Sequence, residues 1–120
     1  YRGARYIQIF VPCPLGWGCA SSSTVTVARL ACETGFYPVF EAEYGKVTSV
    51  RHIRQKQPVE NYLKLQRRYA HLTGKKADPK VLEALEKMCE ENIRQYDMMG
   101  DSVPETVPTA IQAYERQELV

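Results

Sequence analysis

The stretch Ile7-Gln8-Ile9-Phe10-Val11-Pro12-Cys13-Pro14-Leu15-Gly16-Trp17-Gly18-Cys19 decides how the rest of this 120-residue chain is read. A short apolar run stops abruptly in Pro, Gly and Cys, together with the chain's single Trp. Its β-branched and aromatic residues predict a strand over 6–11, ended by Pro12. Apolar residues occupy the neighbouring positions 9, 10 and 11. That suits a strand buried on both faces, as in a parallel sheet under helices. Pro12 and Pro14 stiffen the backbone on either side of Cys13 and remove two backbone donors. A loop that becomes neither helix nor sheet is expected there, with Gly16 and Gly18 free to adopt positive φ or a close backbone approach. Strand, special loop and helix together present reactive groups at the carboxyl end of a strand in α/β proteins. Cys13 is therefore the candidate functional residue.

Beyond the loop, residues 21–24 offer several N-caps, and a largely apolar helix is expected up to a Gly35 stop. Residues 36–44 predict a second strand with a wet face carrying Glu41 and Glu43, demoted towards an edge by Pro38. Gly45-Lys46 is a turn candidate, with residues 46–50 pairing back as a hairpin. A basic loop over 51–57 leads to a helix that starts at Pro58 and runs to about Leu72, ended by Thr73-Gly74. Asp78-Pro79 opens a further helix, with one apolar stripe through Val81, Leu82, Leu85, Met88, Cys89, Ile93 and Tyr96, ended by Gly100. Residues 101–120 read as an extended arm with at most one helical turn near Ile111. The expected division is 1–50 strand–loop–helix–strand, 51–100 helical extension and 101–120 tail, within an α/β fold class.

Composition narrows the classes. A 44% hydrophobic and 25% charged content is ordinary for a soluble globular domain. No apolar run approaches a membrane span and no signal-peptide pattern is visible, so a cytoplasmic setting with reduced thiols is the expectation. The start at Tyr1, almost directly before a strand, suggests a fragment or a processed subunit. Net charge is only +2, but residues 51–76 are strongly basic and residues 77–120 strongly acidic. A basic segment lying near an acidic helix is preferred to a docking patch for an acidic partner. Nucleic-acid binding is not expected, since no recognised motif accompanies the basic segment.

The chemistry-bearing residues each have a structural alternative. Cys13 can ligate a metal or an iron–sulfur cluster, act as a nucleophile, or merely fill space. Trp17, next to Gly16, can shield a cofactor or anchor the loop. Cys32 and Cys89 are expected in core packing; Cys19 can be a ligand or a loop-packing residue, with packing preferred. His52 and His71 are expected at the surface.

Three segments carry a resemblance. They are Val11-Pro12-Cys13-Pro14-Leu15-Gly16-Trp17, then Glu33-Thr34-Gly35-Phe36-Tyr37-Pro38-Val39-Phe40-Glu41, then Lys56-Gln57-Pro58-Val59-Glu60-Asn61-Tyr62-Leu63-Lys64-Leu65-Gln66-Arg67-Arg68-Tyr69. In this order they resemble the carboxy-terminal part of the beta (thiamine-pyrophosphate-binding) subunit of 2-oxoacid:ferredoxin oxidoreductases, with the pyruvate branch most similar. The resemblance implies the terminal portion of a thiamine-diphosphate-binding-type fold. It implies that Cys13 is one ligand of a 4Fe-4S cluster, with Gly16 and Trp17 shielding it. The other ligands, thiamine diphosphate and Mg2+ would belong to the rest of the subunit. It implies oxidative decarboxylation of pyruvate or a related 2-oxoacid, usually to acyl-coenzyme A, with electrons leaving to ferredoxin. The implied partners are the remainder of the beta subunit and other subunits of a complex. Leu15 departs from the Thr usual at that place, and Cys19 lies outside the pattern. A non-catalytic interaction module with structural cysteines, a free-thiol enzyme, and a relative acting on oxalate, arylglyoxylates or branched-chain 2-oxoacids are the alternatives.

Overall fold

A computed structural model describes residues 3–75 and 77–100; the expected arm over 101–120 lies outside them. The described chain is α/β, with one two-stranded antiparallel sheet and several helices. In order these are α1 (Pro14–Trp17), a 3-10 turn (Ser21–Ser23), α2 (Thr24–Glu33), β1 (Phe40–Glu43), β2 (Lys46–Val50), α3 (Val59–Lys64), a 3-10 turn (Arg67–Tyr69), α4 (Ala70–Thr73) and α5 (Pro79–Gln95).

The strand expected over 6–11 does not form. A strand needs a ladder partner, and β1 and β2 pair only with each other. The segment stays without regular structure, and Tyr6, Ile7 and Ile9 are 84%, 81% and 77% exposed. Only Phe10 is tucked in, against the rings of Trp17 and Tyr37. The residues have strand character, but nothing among the described residues gives them a neighbour.

The helix expected after the serines is α2. Thr24 Oγ1 donates to the Ser21 carbonyl (3.1 Å), joining the 3-10 turn to the helix. The β-branched run Thr24-Val25-Thr26-Val27 is a poor helix former alone. Tertiary burial of Val27, Leu30, Ala31 and Cys32 offsets that. At the other end Thr34 Oγ1 donates back to the Leu30 carbonyl (2.7 Å), and Gly35 takes φ +77. A Cβ on Gly35 would stand 2.7 Å from the Cys89 carbonyl oxygen and 2.6 Å from Ile93 Cγ1. Asn92 Nδ2 donates to the Gly35 carbonyl (2.9 Å). The stop signal is thus also the point where α2 meets α5.

The hairpin is as expected, but its turn is Tyr44-Gly45, one residue earlier. Both have positive φ (+50 and +79), which matches the twist of a two-residue hairpin loop. β1 is shorter than the expected 36–44 strand and exposed along its length. A register shift after Glu41 leaves Thr48 as the extra residue on β2. That shift lets Val47 and Val50, three apart, both face inward. Glu41 and Glu43 lie in solvent, as expected.

The single helix expected from Pro58 to Leu72 is broken. Pro58 is the residue before α3 rather than its first turn. Gln66 is extended (φ −128, ψ 116) and buried, and it separates α3 from the next turns. Its Nε2 donates to the Tyr62 carbonyl (2.8 Å), occupying a helix acceptor from the side. The Arg67 N–H goes instead to the Gly18 carbonyl (3.1 Å). A tertiary bond has displaced an intrahelical one. The helix at Asp78-Pro79 starts as expected, with Asp78 Oδ1 accepting from Lys80 N at 2.9 Å, but it ends at Gln95, short of the expected Gly100 stop, because Asp97 takes φ +47 and Met98 N–H turns back to the Ile93 carbonyl (2.9 Å).

Two apolar clusters result. The larger joins Cys19, Val27, Leu30, Ala31, Val59, Tyr62, Leu63 and Cys89. The smaller joins Cys32, Val47, Val50, Ile53 and Met98. The basic segment and the acidic helix meet as the charge pattern suggested. Lys56 Nζ bridges Glu86 (3.2 Å) and Glu90 (3.1 Å). Glu86 Oε2 also accepts from Val59 N (2.9 Å), serving the open N-terminus of α3. Among the described residues no helix is long and apolar enough to cross a membrane.

Candidate functional site

Cys13 does not sit in a structureless loop. One helical turn, α1, forms directly after it, with Pro14 at the first position. Two glycines and two prolines still allow a single turn, because that turn asks no N–H of either proline. Cys13 is extended (φ −103, ψ 109) and acts as the N-cap, a place usually held by Ser, Thr, Asp or Asn. Its Sγ accepts from Gly16 N at 3.3 Å. Trp17 N donates to the Cys13 carbonyl (2.9 Å) and Cys19 N to the Pro14 carbonyl (3.1 Å). Gly18 closes the turn at φ +66.

The four cysteines differ in access. Cys13 is exposed, whereas Cys19, Cys32 and Cys89 are buried in the two clusters, in the packing roles expected of them. Burial pushes the Cys89 thiol up to about 11, with Glu86 and Glu90 adding to the rise and Lys56 opposing it. Burial likewise raises Cys32, against the opposing charge of Arg51. Neither is poised as a thiolate. His52 and His71 are exposed, as expected. Among the described residues no group of three or more His, Cys, Asp or Glu could hold a metal ion.

Trp17 is half-buried and lies under a cation. The Arg68 guanidinium sits 3.8 Å from the centroid of the Trp17 ring and 4.6 Å from that of Tyr69. Its Nε donates to Gln66 Oε1 (3.0 Å) and its Nη2 to the Tyr62 hydroxyl (3.3 Å). Phe10 also meets Trp17, at 5.4 Å between centroids, and Tyr37 at 4.5 Å. Just behind, the Arg67 N–H holds the Gly18 carbonyl. The Cys13 turn is therefore clamped to the 66–69 segment by one backbone bond and one stacked cation. Arg68 was not singled out by the sequence. It lies 51 residues from Trp17 inside a basic run, and nothing local links the two.

The chemistry of this arrangement is limited but definite. It holds one accessible sulfur and one N–H donor aimed at it, in a turn whose Trp17 packs against Phe10 and Arg68. Gly16 has no side chain to crowd the sulfur; a Cβ there would stand 3.3 Å from Cys13 Sγ. An iron–sulfur cluster takes four thiolates, and N–H donors to those sulfurs are part of how such sites are tuned. Cys13 fits one corner of such a site. Cys19, Cys32 and Cys89 are buried, and with Cys13 they form no group of three or more ligands among the described residues.

No family model matches the chain. Similarity to individual proteins is clear. Over 96 residues it is 35% identical to the pyruvate synthase subunit PorB of Methanosarcina barkeri, covering 80% of this chain and 32% of that protein. It is 36% identical over 93 residues to PorB of Methanocaldococcus jannaschii, covering 78% and 30%. It is 40% identical over 83 residues to the ketoisovalerate oxidoreductase subunit VorB of Pyrococcus abyssi, covering 68% and 26%. The chain thus spans about a third or less of the length of these relatives.

Proposed function

The chain belongs to the family of 2-oxoacid oxidoreductase subunits that includes PorB and VorB, and on that premise we propose that it forms part of a 2-oxoacid:ferredoxin oxidoreductase. The reaction is oxidative decarboxylation of a 2-oxoacid, usually to acyl-coenzyme A and CO2, with electrons passing to ferredoxin. The substrate is pyruvate or a branched-chain relative, in keeping with the names of the similar proteins.

In this reading Cys13 is one thiolate ligand of a 4Fe-4S cluster. A cluster held there supplies one-electron transfer between the decarboxylation site and ferredoxin. The chain's own residues prepare one corner of that site. The Gly16 N–H stabilises negative charge on the Cys13 sulfur. Trp17, packed on Phe10, anchors the turn that carries Cys13. The remaining ligands, with thiamine diphosphate and its Mg2+, are held by the rest of the subunit, in the company of further subunits. The exposed, strand-like residues 6–11 find their ladder there, in a thiamine-diphosphate-binding-type fold.

The observation that carries this reading is the contrast between Cys13 and the other three cysteines. Family membership says where a ligand is expected. Cys13 is the exposed thiol, presented by a fixed turn, while the others are spent in packing. The test is turnover of the anaerobically purified complex with pyruvate and 2-ketoisovalerate, using ferredoxin as acceptor, for wild type and Cys13→Ser. Loss of ferredoxin reduction with thiamine diphosphate still bound is expected. Unchanged turnover in the variant refutes the assignment.

A further inference from the structure

Three arginines take no part in the Lys56 contact or in the clamp on Trp17. Arg29, Arg51 and Arg54 line one hollow of about 450 Å³, where α2 faces the segment after β2. That is the size of a small-molecule site. Among the described residues Glu33 is the one carboxylate in the lining, and it already faces Arg29 at 3.6 Å on the same helix. Lys56, Lys64 and Arg94 pair with carboxylates, but no carboxylate among the described residues pairs with Arg51 or Arg54. Two cations therefore stand unpaired at the same concavity.

The walls of the hollow are held by backbone bonds. Arg51 N donates to the Val39 carbonyl (2.8 Å), Ile53 N to the Met98 carbonyl (2.6 Å) and Gln57 N to the Glu33 carbonyl (3.0 Å). Val50 and Ile53 are buried with Cys32 and Met98, while Arg51, His52 and Arg54 are exposed. The wall from α2 does not repel an anion in the usual way. A helix C-terminus ordinarily leaves four bare carbonyls and a partial negative charge. Here the carbonyls of Leu30, Ala31, Cys32 and Glu33 accept from the N–H groups of Thr34, Tyr37, Gly35 and Gln57 respectively.

We propose that this hollow binds a phosphate group, carried by free phosphate or by a small phosphate ester, between the arginines of α2 and of the segment after β2. Three arginines against one glutamate leave the lining with an excess of positive charge. A phosphate monoester carries about −1.5 to −2 at pH 7, and a single carboxylate carries less. Planar guanidinium forks bond phosphate oxygens two at a time. No Phe, Tyr or Trp lines the hollow among the described residues, so recognition falls on the anion rather than on a flat ring. Cys13 is not in the lining, and the proposal does not depend on its assignment as a cluster ligand.

The test is arginine footprinting of the anaerobically purified complex with phenylglyoxal, which modifies accessible guanidinium groups, read residue by residue by peptide mass spectrometry. Chloride, acetate, inorganic phosphate and glycerol 3-phosphate are compared at one ionic strength, so that general screening is constant. Arg94, paired with Glu91 outside the hollow, is the internal reference. Phosphate or its ester is expected to slow modification of Arg51 and Arg54 by about tenfold against chloride, with Arg94 unchanged. Whichever of the two protects at the lower concentration identifies the ligand as free phosphate or an ester. In Arg51→Gln, half-protection of Arg54 should need about tenfold more phosphate. An unchanged concentration there would mean that the two arginines share no ligand, which overturns the proposal. Equal protection by acetate refutes the choice of phosphate. Equal modification of Arg51 and Arg54 in phosphate and chloride refutes the site. If both arginines are unreactive in every buffer, protein covers the hollow and the proposal fails as well.

Discussion

Two glycines in one short turn have opposite expected sensitivities, and the difference comes from the geometry. Gly18 has φ +66, and a Cβ there would stand 2.7 Å from Arg67 Cβ and 3.6 Å from Arg67 Cα. Neither atom is the loose end of a side chain, so the Cys13 turn and the 66–69 segment would have to separate. The backbone strain is roughly 1 kcal/mol. Overpacking adds about 1–3 kcal/mol. Weakening of the bond from Arg67 N to the Gly18 carbonyl adds up to about 1 kcal/mol. Gly18→Ala should therefore cost about 3 kcal/mol. Gly16 lacks a positive φ, and its added Cβ would meet only Cys13, with Sγ at 3.3 Å. Gly16→Ala should stay within roughly 1 kcal/mol of wild type, since alanine also favours the helical turn. Urea unfolding followed through Trp17, the chain's only Trp, reports on this region directly. With a slope of roughly 1–3 kcal/mol per molar urea, the Gly18→Ala midpoint should fall by about 1–3 M. Equal midpoints for the two variants would refute the clamp.

The contact between the basic segment and the acidic helix gives a second expectation. Glu86→Ala removes both the Lys56 bridge and the acceptor for Val59 N, and should cost about 1–2 kcal/mol. Glu90→Ala removes only an exposed pairing and should cost under about 1 kcal/mol, less at high salt; thermal unfolding at two ionic strengths distinguishes them. The raised Cys89 thiol sets a pH dependence. Because its folded value is above its unfolded one, its contribution is intact below about pH 9 and is lost as pH rises through about 11. Stability should fall by roughly 3 kcal/mol across that window, and Cys89→Ala should flatten the slope despite being less stable overall. An unchanged slope in the variant would mean that Cys89 is not protected in the folded state.

The parts of the fold that depend on local chemistry were legible in the sequence. Asp78-Pro79 is a cap and first-turn pair, and it starts α5. Gly35 ends α2, and a positive-φ pair builds the hairpin turn. The parts that failed depend on distant partners. Residues 6–11 have strand character without a neighbouring strand, so they stay unpaired. The helix after Pro58 was expected to continue because its apolar spacing continues. It breaks at Gln66, and a bond from Arg67 to Gly18, 49 residues earlier, replaces a helical one. At the site, Cys13, Gly16 and Trp17 could be picked out because their loop is unusual in itself. Arg68 could not, since an arginine in a basic run looks like solvated charge until the fold places Trp17 against it.

The proposed role of Cys13 is to hold iron. The most direct measurement is the iron and acid-labile sulfide content of the anaerobically purified complex, wild type against Cys13→Ala, with bound thiamine diphosphate determined in the same samples. Cys13→Ala should lose about four irons and four sulfides per subunit, the content of one 4Fe-4S cluster, while thiamine diphosphate stays bound. Identical iron and sulfide in the two preparations would contradict the claim.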